Sequence, residues 1–193
     1  MQPTVAFFDD SLNPAVRGFL HSPANPNGDA LILTHGAGSD CTVPLLVALG
    51  EIFAEHGYVV LRSDLPFRQE RRTGPPFPGN AERDRAGLRT AVAALRQSVA
   101  GRIFLGGHSY GGRQSTLLCA AERELVQPDS VKSDAVKPEL VSGLLVLSIR
   151  CTPRASRNNS ASSTCPVCTL RASSCMERAT PSEAWKRWRT PCS

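Results

Sequence analysis

The stretch RIFLGGHSYGGRQSTLLCAA, residues 102–121, decides the fold because it predicts a strand, a sharp turn and a helix in succession. A short apolar run of the buried-strand type precedes two glycines, and apolar residues at helical spacing follow two more. Ser109 lies in the turn, within a Gly-x-Ser-x-Gly pattern that runs from Gly107 to Gly111. A serine at the tip of such a turn needs a strained backbone, and glycine neighbours avoid the collisions that side chains would cause. The pattern predicts an exposed nucleophilic serine, and the alternative is an ordinary glycine-rich turn.

Strands and helices alternate on both sides of this turn. The sequence predicts an antiparallel edge hairpin within residues 4–20, buried strands at 30–34, 58–62 and 140–147, and helices at 39–57 and 81–98. A loop rich in Pro, Gly and Arg occupies 64–80, and a polar connection occupies 127–139. Such alternation is typical of a mostly parallel sheet with helices on both faces, so we expect an α/β fold.

Composition narrows the class of protein. A chain of 193 residues with 41% hydrophobic residues is long enough for one domain with a sizeable core. No apolar run approaches the roughly 20 residues needed to span a bilayer, and the N-terminus does not resemble a signal peptide. Only Cys41 and Cys119 of the seven cysteines precede residue 150, which is normal in a reducing compartment. We therefore expect a cytoplasmic location, with no cofactor and no metal at the serine.

The last part of the chain has a different composition. Residues 150–193 contain 8 Lys+Arg against 2 Asp+Glu, whereas residues 1–149 contain 14 against 15, so the net charge of +5 belongs to the tail. The tail also has eight serines, five cysteines and no periodic apolar face. It can bury too little surface to offset its ordering entropy, so poor order is expected. We divide the chain into a core at 1–148 and an aberrant basic tail at 149–193.

A second glycine-rich loop, His35-Gly36-Ala37-Gly38, follows the predicted strand at 30–34. With this loop, the Ser109 turn and the alternating elements, residues 4–148 resemble the α/β-hydrolase superfamily. The segment 64–77 makes the sequence most similar to its small dienelactone-hydrolase-like branch, which includes bacterial relatives of testis-expressed hydrolase-like proteins. The resemblance implies a three-layer sandwich that is incomplete at the C-terminus.

The resemblance also implies roles for named residues. Ser109 would be a nucleophile that forms an acyl-enzyme with a small ester or related acyl substrate. The backbone N–H groups of Tyr110 and Ala37 would form the oxyanion hole, where one such donor typically contributes about 3–4 kcal/mol in the transition state. The residues that would shape the two loops are His35, Gly36, Gly38, Gly107 and Gly111.

The other members of a catalytic triad are not recognisable. In this superfamily the acid and the histidine follow the nucleophile, on loops after later strands. All four histidines (His21, His35, His56 and His108) precede Ser109, and Asp129 and Asp134 come before the next predicted strand. Without a base the serine hydroxyl is a weak nucleophile, so we expect little turnover from the chain as written. Because the last strands and helix of such a fold are missing, one face and one edge of the sheet would stay uncovered, so we also expect marginal stability. The alternative is a non-catalytic binding or scaffold protein with this fold.

A shifted reading frame would account for the missing acid, although the expected histidine would still fall after residue 193. If residues 149–153 are written ATC CGC TGC ACC CCC and translated from one base earlier, on a T, they become Tyr-Pro-Leu-His-Pro. The same shift turns 163–170 into His-Leu-Pro-Gly-Leu-His-Thr-Pro and 174–181 into Val-His-Gly-Thr-Arg-Asp-Pro. The last segment resembles the loop that carries the family's acid. We hypothesise a single-base loss near the Ser148 codon.

Two other interpretations of the tail remain open. Cys165 and Cys168 form a C-x-x-C pair with Cys151 and Cys175 on either side, but structural zinc sites usually combine two such close pairs. The segment 185–189 interleaves tryptophans with cations and could contact phosphate or an anionic membrane. Charge alone gives only salt-sensitive, non-specific binding, so no specific nucleic-acid partner is expected.

Overall fold

The computed structural model describes residues 3–124 and 141–148, which form six β-strands and four α-helices. The predictions for the connection at 127–139 and for the tail concern residues outside the described ranges, including Asp129, Asp134 and the C-x-x-C pair. In chain order the elements are β1 (Val5–Asp9), β2 (Val16–His21), β3 (Ala30–Thr34), α1 (Pro44–Glu55), β4 (Val59–Ser63), α2 (Pro66–Glu70), α3 (Asn80–Arg96), β5 (Ile103–His108), α4 (Tyr110–Glu124) and β6 (Gly143–Leu147).

The described strands form one mixed sheet in the order β1-β2-β4-β3-β5-β6. β1 and β2 form an antiparallel hairpin, and β2 runs antiparallel to β4. β4, β3, β5 and β6 are parallel to one another. The mostly parallel sheet and the antiparallel hairpin at its edge are both confirmed.

Two apolar clusters, one on each face of the sheet, make the fold a three-layer sandwich. Alternate side chains of a strand point to opposite faces, and β3 shows this in its fully buried residues. Ala30 and Ile32 join the cluster that contains the apolar residues of α3 and α4. Leu31 and Leu33 pack instead with Leu46 of α1. Burial on both faces explains why residues 30–33 are apolar without alternation.

The element boundaries differ from the sequence prediction mainly at prolines. α1 begins at Pro44 rather than near residue 39, because proline is favoured in the first turn of a helix and disfavours helix in the residue before it. Pro66 likewise starts the short helix α2 inside the predicted loop 64–80. That loop prediction was therefore wrong at 66–70.

The parallel strands bring three loops to one edge of the sheet. Thr34 at the end of β3 is paired with Ser63 of β4 and with Gly107 of β5. The residues that follow these positions therefore emerge close together at the carboxyl ends of the strands. Ligand sites of α/β sheets form at this edge.

Candidate active site

Ser109 lies in a strained turn between β5 and α4. Its φ is 50°, in the left-handed region that residues with side chains rarely adopt. The residue is exposed, and its N–H donates a 2.8 Å hydrogen bond to the Leu147 carbonyl of β6. Backbone strain of this kind persists where the surrounding structure enforces it, and it is concentrated at functional sites.

Close contacts require the two glycines that flank Ser109. A Cβ atom on Gly107 would lie 2.4 Å from the backbone nitrogen of Gly112. On Gly111 it would lie 2.4 Å from Oγ1 of Thr34 and 2.6 Å from the carbonyl oxygen of His35. The Gly111 N–H also donates to that carbonyl, at 3.1 Å. The serine turn thus packs directly against the loop that follows β3.

The loop after β3 contains a tight turn at 36–39, which we call the oxyanion turn. The Ser39 N–H donates to the Gly36 carbonyl at 3.3 Å, and the Gly36 N–H donates to Oγ of Ser39 at 3.1 Å. Between them Gly38 is exposed, with no atom within 4 Å of a Cβ built on it, so protein packing does not require a glycine there.

The two backbone donors predicted for an oxyanion hole are open to a ligand. Within the described residues, no acceptor is found for the N–H of Ala37 or for that of Tyr110. Ala37 and Tyr110 are both partly exposed. Backbone N–H groups in folded proteins usually have an acceptor in the protein or in water. The partly exposed N–H groups of Ala37 and Tyr110 can therefore bind a ligand oxygen.

His35 is fully buried below the oxyanion turn. Its Nδ1–H donates to the Gly36 carbonyl at 2.8 Å, and its Nε2 accepts a 3.1 Å hydrogen bond from the Leu65 N–H. Burial lowers the pKa of this imidazole, so the ring is neutral near pH 7. Since backbone groups occupy both ring nitrogens, the geometry supports a role in shaping the loop.

The other three histidines have no hydrogen bond to the serine hydroxyl. His21 is buried beside β4 and accepts a 2.7 Å hydrogen bond from Nε of Arg62. His56 donates to the Ile52 carbonyl at the end of α1. The ring of His108 lies over Gly36, with its Nδ1 3.0 Å from the position a Gly36 Cβ would take. Throughout residues 3–124 and 141–148, no side chain is hydrogen-bonded to Oγ of Ser109.

Two charged residues close to this site were not predicted from the sequence. Arg68 is buried, and it donates only to backbone carbonyls. Asp84 is also fully buried, and it accepts hydrogen bonds from the Tyr110 hydroxyl at 2.7 Å and from the Phe67 N–H at 3.0 Å. Asp84 precedes Leu88 by one helical turn on the apolar stripe of α3. A charged residue on a stripe that faces the core was the feature of the sequence that could have identified it.

The described part of the chain shows no sign of two other kinds of site. It contains no group of three metal-ligating side chains. Its helices are also too short or too polar to cross a bilayer.

Comparison with protein families identifies the class. A family model described as an alpha/beta hydrolase domain matches residues 27–140. Because the match covers more than half of the 193 residues, the chain belongs to this alpha/beta hydrolase family. A search of curated protein sequences gives no match.

Solved structures with the same fold include several hydrolases. The alpha/beta hydrolase GrgF from a Penicillium species superimposes with a TM-score of 0.55 at 18% identity, over 77% of this chain and 46% of that one. Dienelactone hydrolase from Anabaena variabilis gives 0.53 at 20% identity, over 78% and 87%. An alpha-beta serine hydrolase homologue from Coxiella burnetii gives 0.53 at 14% identity, over 64% and 60%. The chain thus spans about half to three fifths of the Penicillium and Coxiella proteins. At these identities the likeness shows a shared fold.

Proposed function

We propose that Ser109 is the nucleophile of a serine hydrolase that acts on a small ester or related acyl substrate through an acyl-enzyme. The observation that carries the proposal is an exposed serine at φ 50° in a strand-to-helix turn. The N–H groups of Tyr110 and Ala37, which have no acceptor among the described residues, support it. This is the arrangement that acyl transfer requires, with a reacting hydroxyl and donors for the charge that develops on the carbonyl oxygen.

The reaction takes place in two displacements. Oγ of Ser109 attacks the acyl carbon and passes its proton to solvent water, while the carbonyl oxygen becomes an oxyanion held by the two backbone donors. Collapse of this intermediate expels the alcohol, which takes up a proton, and leaves the acyl group on the serine. Water then attacks the acyl-enzyme in the same way, which releases the acid and restores the hydroxyl.

The chain as written is proposed to have little turnover. Deprotonation of a serine needs a positioned base, and none of the described histidines is hydrogen-bonded to Oγ of Ser109. A hydrolase site without its base and acid keeps only the residual catalysis of its oxyanion hole and binding groups. The same observation favours the second candidate function, a binding or scaffold protein that retains the serine turn without turnover.

Fluorophosphonate labelling distinguishes the two functions. We expect the reagent to modify the full-length chain on Ser109, as located by peptide mass spectrometry. Ser109→Ala should lose the label. Ser98→Ala is a matched control, because it removes an exposed serine whose hydroxyl donates to Leu95, and it should be labelled like the wild type. A folded wild-type chain that remains unlabelled at Ser109 would favour the scaffold function.

The cellular setting is also a proposal. We propose a small-molecule substrate and a cytoplasmic location. The near balance of charge over 1–149 and the presence of only two cysteines there support these assignments. We further propose that residues 1–148 constitute the hydrolase core and that 149–193 form an out-of-frame tail.

A further inference from the structure

Arg68 has an unusual set of partners for a buried arginine. Arg68 lies on α2, is only 6% exposed, and forms no ion pair with a described carboxylate. Its guanidinium donates instead to four backbone carbonyls. The acceptors are Ser39 (from Nε, 2.9 Å), Ala37 (Nη2, 2.8 Å), Gly74 (Nη2, 3.0 Å) and Arg71 (Nη1, 3.1 Å).

Two of these four carbonyls belong to the oxyanion turn. Nε and Nη2 of Arg68 reach the carbonyls of Ser39 and Ala37, so one planar group spans the turn. The Ala37 carbonyl belongs to the peptide that directly follows the proposed oxyanion donor. With that carbonyl held, the 37–38 peptide cannot rotate without losing a charge-assisted hydrogen bond.

His35 holds the preceding peptide. Its Nδ1–H binds the Gly36 carbonyl, and in a trans peptide the N–H of the next residue points the opposite way. The Ala37 N–H is therefore directed away from His35. Arg68 and His35 together fix both peptides that meet at Ala37.

The helix that carries Arg68 also contacts the other proposed donor. The guanidinium of Arg68 lies over the Phe67 ring at 5.0 Å. That ring packs against His35 at 5.6 Å and against Tyr110 at 5.5 Å between ring centres. α2 is thus in contact with residues from both halves of the oxyanion hole.

We propose that Arg68 is a positioning residue that presets the oxyanion turn at 36–39 for the Ser109 reaction. The inference rests on the proposed function. The fork of the guanidinium is what matters, because a lysine keeps the charge but cannot bind two carbonyls in one plane.

The test compares Arg68→Lys with Arg62→Lys in the full-length chain. Arg62 is an equally buried arginine that donates to His21 and to the Cys41 carbonyl, outside the oxyanion turn. We expect Arg68→Lys to slow fluorophosphonate labelling of Ser109 about tenfold or more, on the scale of a partly lost oxyanion donor. The Gly36 and Ser39 amides should exchange hydrogen faster by a similar factor. Arg62→Lys should lower the melting temperature yet leave both readouts unchanged.

The two proposals fail in different ways. Equal labelling of folded Arg68→Lys and wild type, with Ser109→Ala unlabelled, would overturn the positioning role and leave the nucleophile intact. If the wild type is not labelled, the proposed function fails, and amide exchange alone decides whether Arg68 holds the turn. If Arg68→Lys does not fold, exchange of the Arg68 Nε proton in the wild type decides. Exchange as fast as that of the exposed Arg17 side chain would overturn the proposal.

Discussion

Ser109 combines an unfavourable backbone angle with exposure to solvent, and its neighbours make that angle possible. Gly107 and Gly111 have no room for a side chain, because backbone atoms and Thr34 fill the space where a Cβ would lie. The turn is therefore fixed by contacts with β3 and α4 as well as by its own residues.

Replacement of Gly107 by alanine tests this packing. The new methyl would lie within 2.5 Å of backbone atoms of Gly111 and Gly112, which cannot move independently of α4. We expect the free energy of unfolding to fall by about 1–3 kcal/mol, as for other overpacked sites.

Gly79→Ala is the control, because no atom lies within 4 Å of its Cβ position and its φ is −75°. Gly79 caps α3, where alanine is less favourable than glycine, so that change should cost less than about 1 kcal/mol. Urea unfolding measures both, and equal stabilities would contradict the packing argument.

The sequence predicts residues whose type is required by the conformation of the adjacent backbone. The Ser109 turn and the glycine loop at 36–38 could be predicted, because glycines next to one another in the sequence indicate a tight turn. Arg68 could not, since its carbonyl partners at Ala37 and Ser39 lie about thirty positions earlier in the chain. Only folding shows that a charge from a loop-like segment is buried there.

At the scale of elements, α3 is the support that holds α2 and α4 together. Asp84 of α3 accepts hydrogen bonds from Phe67 of α2 and from the Tyr110 hydroxyl of α4. Burial raises the pKa of the Asp84 carboxyl, and the two hydrogen bonds oppose that rise. With a raised pKa in the folded state, the contribution of Asp84 to stability is greatest at acid pH and is lost as pH rises through the folded pKa.

Removal of the Tyr110 hydroxyl should therefore have an effect that depends on pH. The Tyr110 hydroxyl lowers the pKa of Asp84 by binding its carboxylate, so Tyr110→Phe should cost most where Asp84 is ionised, toward about 1–3 kcal/mol, and least at the acid end of a range from about pH 4 to about pH 9. Urea unfolding across that range measures it. In an Asp84→Asn background the effect of Tyr110→Phe should no longer vary with pH. Tyr58→Phe is the matched control and should be independent of pH. A cost for Tyr110→Phe that is the same at both ends of the range would refute the coupling.

Most elements could be predicted because their apolar patterns are periodic. β3, β4, β5, α1, α3 and the edge hairpin all follow the expected order. α2 was missed because five residues carry no periodicity, and the surrounding prolines, glycines and arginines are typical of a loop. Its helix start at Pro66 becomes evident only from the packing of Pro66 and Phe67 in the interior.

At the scale of the whole molecule, the described sheet ends where the composition changes. β6 ends at Leu147, and the acidic and basic residues that balance one another over 1–149 give way to a basic segment immediately afterwards. Family membership rests on residues 27–140, entirely before this break. The frame-shift hypothesis accounts for both facts.

DNA sequencing across the Ser148 codon tests that hypothesis. We expect a single-base loss, such that restoring one base makes the codons after Ser148 read Tyr-Pro-Leu-His-Pro. The matched control is the same read over the Ser109 codons, where the frame should be intact. An uninterrupted frame at both places in independently amplified DNA would show that the tail is encoded as written.

The hydrogen bond from the Ser109 N–H to the Leu147 carbonyl also sets an order in time. A chain is synthesised from its N-terminus, and domains begin to fold as they emerge. The oxyanion turn and Arg68 are available early, and β5 and α4 follow. The Ser109 N–H acquires its acceptor only when β6 has been made, so among the described residues of the candidate site the proposed nucleophile is the last to gain its backbone hydrogen bond during synthesis.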